Sequence, residues 1–126
     1  MTMTTTIAQW MVRIGGILAL ILGLLLWVGD LPPSSVGIHM LLGVITVLGL
    51  WLLAATGSQQ GIPLGMAVGI AVLGLVTLIF GLVQRSLLPD STHWLIQLIH
   101  LVLGMAAIGS GEMIGGRLRR ARLAAA

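Results

Sequence analysis

Cysteine and lysine are absent from this chain, and charge of either sign is scarce: six arginines, two aspartates and one glutamate among 126 residues. Without cysteine there are no disulfides, no cysteine-ligated iron–sulfur clusters, no thioether-attached haem and no thiolate zinc site. Any metal must be held by His, Met, Asp, Glu or backbone oxygen. Charged residues make up 7% of the chain and hydrophobic ones 58%, against about 25% charged in a soluble domain. So few charges cannot build a water-facing surface, so lipid is the solvent expected for most of the chain. Catalytic groupings are missing too. No nucleophile–base pair has a motif around it, no phosphate-cradling loop follows a strand, and no two carboxylates share a helix face. Hydrolysis and phosphoryl transfer are not expected, and the chain reads as an electron carrier or membrane subunit before an enzyme.

What is present is four long apolar runs, predicted as spans at about 7–28, 36–55, 62–83 and 94–116. A length of 126 residues accommodates four spans of about 20 residues with short loops, hence one four-span transmembrane domain. A lone apolar segment in lipid must satisfy its own backbone, and the runs show no period of two, so all four are read as helices. The expected class is all-α: an integral membrane four-helix bundle. A cleaved secretory signal is not expected, because Met1 to Gln9 carries no basic side chain and the first apolar run is long enough to stay as a span.

The loops carry turn chemistry. Gly29-Asp30-Leu31-Pro32-Pro33-Ser34-Ser35 stops one helix and offers Ser as a cap for the next. Thr56-Gly57-Ser58-Gln59-Gln60-Gly61 is an uncharged turn, and Pro63 suits the first helical turn after it. Asp90 or Ser91 is the expected cap of the last helix. Arg13 and the cluster Arg117, Arg119, Arg120 and Arg122 fall at one face of the bundle, and only Arg85 at the other. This bias predicts a cell-membrane protein with both termini cytoplasmic. The basic cluster reads as a topology signal that meets lipid headgroups, with no motif pointing to nucleic acid. Trp10 and Trp51 are expected near the inner interface, and Trp27 and Trp94 near the outer one.

The two halves resemble one another. Leu20-Ile21-Leu22-Gly23-Leu24 matches Leu78-Ile79-Phe80-Gly81-Leu82, and Ile38-His39-Met40-Leu41-Leu42-Gly43 matches Ile99-His100-Leu101-Val102-Leu103-Gly104. Each repeat would be a whole helical hairpin, which relates the copies by an axis along the membrane normal. His39 and His100 would then face each other across that axis. On the fourth span His93, Gln97, His100, Gly104, Ala107 and Gly111 share one face, as do His39, Gly43, Thr46 and Leu50 on the second.

An ionisable side chain inside a bilayer is a functional hypothesis by default. Here each imidazole is followed one turn later by glycine, Gly43 or Gly104, which clears space for a flat plate beside an axial ligand. Haem b between His39 and His100 is the leading expectation, with Arg85, His93 and the N-terminal ends of the two helices receiving its propionates. His39 follows its expected cap by fewer residues than His100, so the pair shares a level only if the fourth helix starts higher.

In a general way the chain resembles the small four-helix membrane cytochromes of b type, in span count, in paired histidines on two helices and in the adjacent glycines. That resemblance implies His39 and His100 as axial ligands, and electron transfer between a quinol and an outer redox acceptor, or service as the haem-bearing subunit of a larger assembly. Expected partners are therefore the lipid bilayer, a quinol or redox protein, and a second copy or larger membrane complex. Two other readings stand beside it. One is a cofactor-free subunit or assembly and stabilising protein that works through helix packing. The other is a small transporter or channel with a histidine-lined path. Arg13 and Glu112 lie at matching levels, which predicts a salt bridge, or in a sharper reading a proton or cation gate. Small residues at four-residue spacing (Gly15-x3-Ala19-x3-Gly23, Gly65-x3-Gly69, Ala107-x3-Gly111-x3-Gly115) predict close helix contacts.

Overall fold

The computed structural model describes residues 2–125. They form four long apolar helices: the first Met3–Val28, the second Pro33–Ser58, the third Leu64–Ser86 and the fourth His93–Ala124. Each is long and apolar enough to cross a membrane, and no strand occurs among the described residues. The protein is an all-α, multi-pass membrane bundle.

Three of the predicted spans fall inside these helices, and the third, 62–83, starts two residues early because Pro63 precedes the helix with an extended ψ and does not join its first turn; the other ends differ for local reasons. The first helix starts at Met3 because Thr2 caps it, its hydroxyl accepting the Thr5 backbone N–H at 3.2 Å. The polar threonine run hid that start. The fourth helix continues past the expected end to Ala124, because Arg, Leu and Ala are strong helix formers. At 1.5 Å per residue it is about 48 Å long, well beyond a hydrocarbon core of about 30 Å. The expected caps are corrected. Ser35 makes no capping bond, since a 3-10 turn over Pro33–Ser35 leads into the second helix. Thr92, not Asp90 or Ser91, precedes the fourth helix, and the His93 N–H bonds the Asp90 carbonyl at 3.0 Å. Gly29 does end the first helix as expected. Its φ of +82° lets the Asp30 N–H reach back to the Leu25 carbonyl at 3.0 Å, which closes the helix with a left-handed residue.

Successive helices pack side by side, and the first also meets the fourth. Of the two diagonals only one is closed. The second and fourth helices touch, whereas the first and third do not. The bundle is therefore rhombic, and the short diagonal joins the two histidine helices.

Packing divides the bundle into halves. The buried core (Ala8, Val12, Leu50, Leu53, Ala54, Ile62, Ala67, Ile70, Ala107, Ile114 and Leu118) lies from mid-bundle toward the arginine-rich end. Lipid tails are as apolar as these side chains, so close packing, not exclusion of water, holds this half. Val12 is its wedge. It is fully buried, with Gly49 of the second helix on one side and Gly111 of the fourth on the other. A π-helical turn over Met11–Gly15 interrupts the first helix at this point. The extra residue in that turn lets Val12 face inward while Arg13 faces the fourth helix. Two of the three small-residue stripes pack as expected. The third does not: a side chain at Gly65 or Gly69 would meet nothing within 4 Å.

Arg13 and Glu112 form the expected ion pair, bidentate, with Nε donating to Oε1 at 2.8 Å and Nη2 to Oε2 at 2.6 Å. The guanidinium also lies 4.9 Å from the centre of the Trp10 ring. Exchanging the charges (Arg13→Glu with Glu112→Arg) is expected to recover thermal stability lost in either single variant, read as melting temperature in detergent. Failure of the exchange to recover any of the loss would assign the single-variant effects to packing. The Trp51 indole N–H donates to the Ala71 carbonyl at 3.0 Å, which ties it to the third helix.

Candidate functional site

The half of the bundle toward the two histidine-side loops holds a partly open cavity of about 790 Å³. Cofactor sites span about 300–1,000 Å³ and are lined mainly by apolar groups with a few placed polar ones. All four helices contribute. The floor is Gly16, Thr46, Ala107 and Ile108; the loop end holds Pro33, Arg85 and His93. The wall includes both predicted stripes: His39, Gly43 and Thr46 from the second helix, and His93, Gln97, His100, Gly104 and Ala107 from the fourth. Every predicted site residue (His39, His100, Gly43, Gly104, Arg85 and His93) lines this one cavity.

The two imidazoles approach each other along its wall. Their ring centres are 6.1 Å apart and their planes are inclined by 70°. Their levels agree because the second helix begins with the 3-10 turn at Pro33 and the fourth begins high, at His93. Each ring rests on a glycine of the preceding helix in its own hairpin. A Cβ at Gly23 would stand 3.0 Å from His39 Cε1, and one at Gly81 would stand 2.9 Å from His100 Cε1. The sequence match had flagged both glycines as repeat positions but not as seats for the rings. Gly43 and Gly104 serve differently, since an added Cβ there meets nothing within 4 Å. They leave the cavity wall clear, as the sequence predicts.

Hydrogen bonds fix the ring chemistry. His39 Nδ1 lies 2.9 Å from the Ala19 carbonyl oxygen. A carbonyl can only accept, so Nδ1 carries the hydrogen and Nε2 keeps its lone pair. That Nε2 has no hydrogen-bond partner among the described residues. This is the arrangement a metal-ligating histidine adopts, one nitrogen tied to a backbone carbonyl and the other free. His100 differs, because its Nδ1 is buried without a partner among the described residues. His93 Nδ1 donates to the Leu87 carbonyl at 3.1 Å. That bond folds the last loop back over the cavity, helped by Leu88, which takes a left-handed φ of +45°.

The number of imidazoles limits which metal ions they could hold. Zinc sites take three or four protein ligands, and no group of three His, Cys, Asp or Glu side chains gathers among the described residues. Two imidazoles alone suit a metal whose other four positions are filled by a macrocycle. With metal–nitrogen bonds of about 2.0–2.1 Å, two such rings have centres about 6 Å apart. The observed separation and inclination are those of an edge-to-face ring contact.

Gln9 is a polar residue that sequence reasoning missed. It is 7% exposed, its Nε2 is buried without a partner among the described residues, and it packs against Gly115 beside Glu112. Its position at i−4 from Arg13 was the available signal. No family model, curated protein or solved structure matches the chain.

Proposed function

We propose that this protein is a small membrane cytochrome of b type, holding haem non-covalently between His39 and His100 for quinol-linked or transmembrane electron transfer. The observation that carries this reading is the pair of imidazoles 6.1 Å apart that line a cavity of about 790 Å³. Bound haem supplies one-electron transfer between ferric and ferrous iron. The chain's own contribution is to hold and orient. The Ala19 carbonyl fixes the tautomer of His39. Gly23 and Gly81 let the first and third helices approach the Cε1 edges of the rings. Gly43 and Gly104 keep the walls clear. Arg85, His93 and Gln97 line the cavity toward its loop end, where carboxylates of an amphiphilic ligand would find a cation and hydrogen-bond donors.

Two-histidine ligation occupies both axial positions, which favours electron transfer over oxygen activation. The arginine bias supports a reading with both termini in the cytoplasm of a cell and the cavity toward the outer leaflet of its membrane. A quinol in the bilayer is then a natural donor, and a redox protein on the outer face a natural acceptor.

The test is optical. Protein expressed with supplemented haem and purified in detergent is expected to show a Soret band whose reduced form has sharp α and β bands, both lost in His39→Ala. A colourless wild-type preparation would sink the proposal and leave a cofactor-free packing subunit as the reading.

A further inference from the structure

The chamber is polar at one end only. Arg85, Gln84, His93 and Gln97 line it toward the loops. Arg85 is exposed there and has no carboxylate partner, because the pair of Arg13 with Glu112 is the only salt bridge among the described residues. The Gln97 amide stands one turn deeper than His93 on the fourth helix. A guanidinium and a primary amide are both donors to a carboxylate.

Below Gln97 the lining turns to carbon. Leu20, Leu24, Val44, Leu78 and Leu101 come from all four helices, and Gly43 and Gly104 leave the walls clear. The two threonines of the lining, Thr46 and Thr77, direct their hydroxyl hydrogens to the Leu42 and Leu73 carbonyls of their own helices, at 2.8 Å each. The imidazoles turn their nitrogen-bearing edges toward their own hairpins. A Cβ at Gly23 would stand 3.4 Å from His39 Nδ1, and one at Gly81 would stand 3.5 Å from His100 Nε2. Ile108, at the floor, follows Gln97 by eleven residues. At 1.5 Å per residue the carbon-lined part is about 16 Å deep. One leaflet of a bilayer offers about 15 Å of hydrocarbon, half of a core about 30 Å thick.

A single unpaired guanidinium above a carbon-lined shaft of one-leaflet depth suits one negative charge on one chain. We propose that the chamber binds a long-chain fatty acid, its carboxylate on Arg85 and Gln97 and its chain running down toward Ala107 and Ile108. The partly open wall admits the chain from the surrounding lipid. Lipid already solvates the tail, so selectivity comes from the charge-assisted bonds at the carboxylate. This inference goes beyond the haem reading and does not rest on it. The two ligands share the chamber, so each excludes the other.

Trp27 lines the chamber and reports on its contents. Haem-free protein with Trp10, Trp51 and Trp94 replaced by Phe, in non-ionic detergent, is titrated with a bromine-substituted fatty acid that quenches indole fluorescence. Saturable quenching is expected, at least about tenfold tighter than with the brominated alcohol of equal chain length, since a hydrogen bond to a charged group contributes about 1.5–3 kcal/mol and about 1.4 kcal/mol is tenfold. Arg85→Gln is expected to abolish the preference for acid over alcohol. Gly104→Leu, which fills the shaft, should weaken both ligands, with circular dichroism confirming the helices. Equal affinity for acid and alcohol overturns the proposal, as does a preference untouched by Arg85→Gln. Quenching unchanged by Gly104→Leu overturns it too, because the probe then lies in the lipid shell outside. Tighter binding of a brominated lysophospholipid, a single chain with an anionic phosphate, overturns the choice of a free carboxylate. A chain that takes up haem but no fatty acid overturns this proposal alone, and one that binds the fatty acid but no haem overturns the haem reading alone.

Discussion

Gly81→Leu and Gly23→Leu are each expected to lower haem retention by at least about tenfold while the helices still form. At Gly81 the first added carbon alone would stand 2.9 Å from His100 Cε1, and at Gly23 it would stand 3.0 Å from His39 Cε1. An isobutyl group at either place claims the volume where the imidazole lies, so the ring must swing out of line with its partner. Loss of a group that orients a metal ligand typically reduces metal affinity 10- to 100-fold, and displacing the ligand itself does at least as much. Gly104→Leu separates a cofactor effect from a folding effect. No atom beyond its own stretch of helix lies within 4 Å of a Cβ there, so the haem-free bundle should melt no lower than the wild type does. The leucine would nevertheless project into the cavity, and the Soret absorbance should fall. Haem-binding titrations paired with circular dichroism of the haem-free proteins read both quantities. Undiminished haem uptake by Gly81→Leu would mean that the ring is not held where it is seen.

The largest effect on stability is expected at Gly49, in the packed half. A Cβ there would lie 2.9 Å from the Ala8 carbonyl oxygen and 2.8 Å from Met11 Cβ. Backbone cannot rotate aside as a long side chain can, so Gly49→Ala must push the first and second helices apart. Overpacking of this kind costs about 1–3 kcal/mol and occasionally more. Gly111→Ala presses on Val12, whose branched side chain is already fixed between two helices, and should behave similarly. Gly65→Ala and Gly69→Ala provide the opposite outcome, because their positions are open. There the gain in helix propensity of about 1 kcal/mol is unopposed, although all four residues are glycines in apolar helices. Unfolding in mixed micelles measures the difference. Equal stability of Gly49→Ala and Gly65→Ala would refute the close approach.

The sequence reading recovered the coarse architecture because lipid imposes strong constraints. Four uninterrupted apolar runs leave few alternatives to four helices, and the hexapeptides around His39 and His100 placed both rings on the same wall. The ion pair between Arg13 and Glu112 was legible because each charge in an apolar span needs an opposite one at its own depth. Other features depended on atoms from distant segments. The π-helical turn at Met11–Gly15 has no composition of its own and arises where Val12 must fit between Gly49 and Gly111. Gly65 and Gly69 have the same spacing as packing glycines, but which face of a helix meets a neighbour is decided by the rhombic arrangement. Gly23 and Gly81 were visible as matched letters. Their role required knowing that each ring lies back against its own hairpin, and the missing acceptor at His100 required the hydrogen-bond pattern.

Because each imidazole rests on a glycine from the same hairpin, either half of the chain carries a complete seat for one ring. Two identical hairpins, paired about a twofold axis normal to the bilayer, would already possess everything the chamber needs in duplicate, but they would be bound to keep both sides alike. Tethering the copies through the short turn after Ser58 removes that obligation. Each side is then free to differ from the other, as the two do where Ala19 stands in one copy and Thr77 in the other.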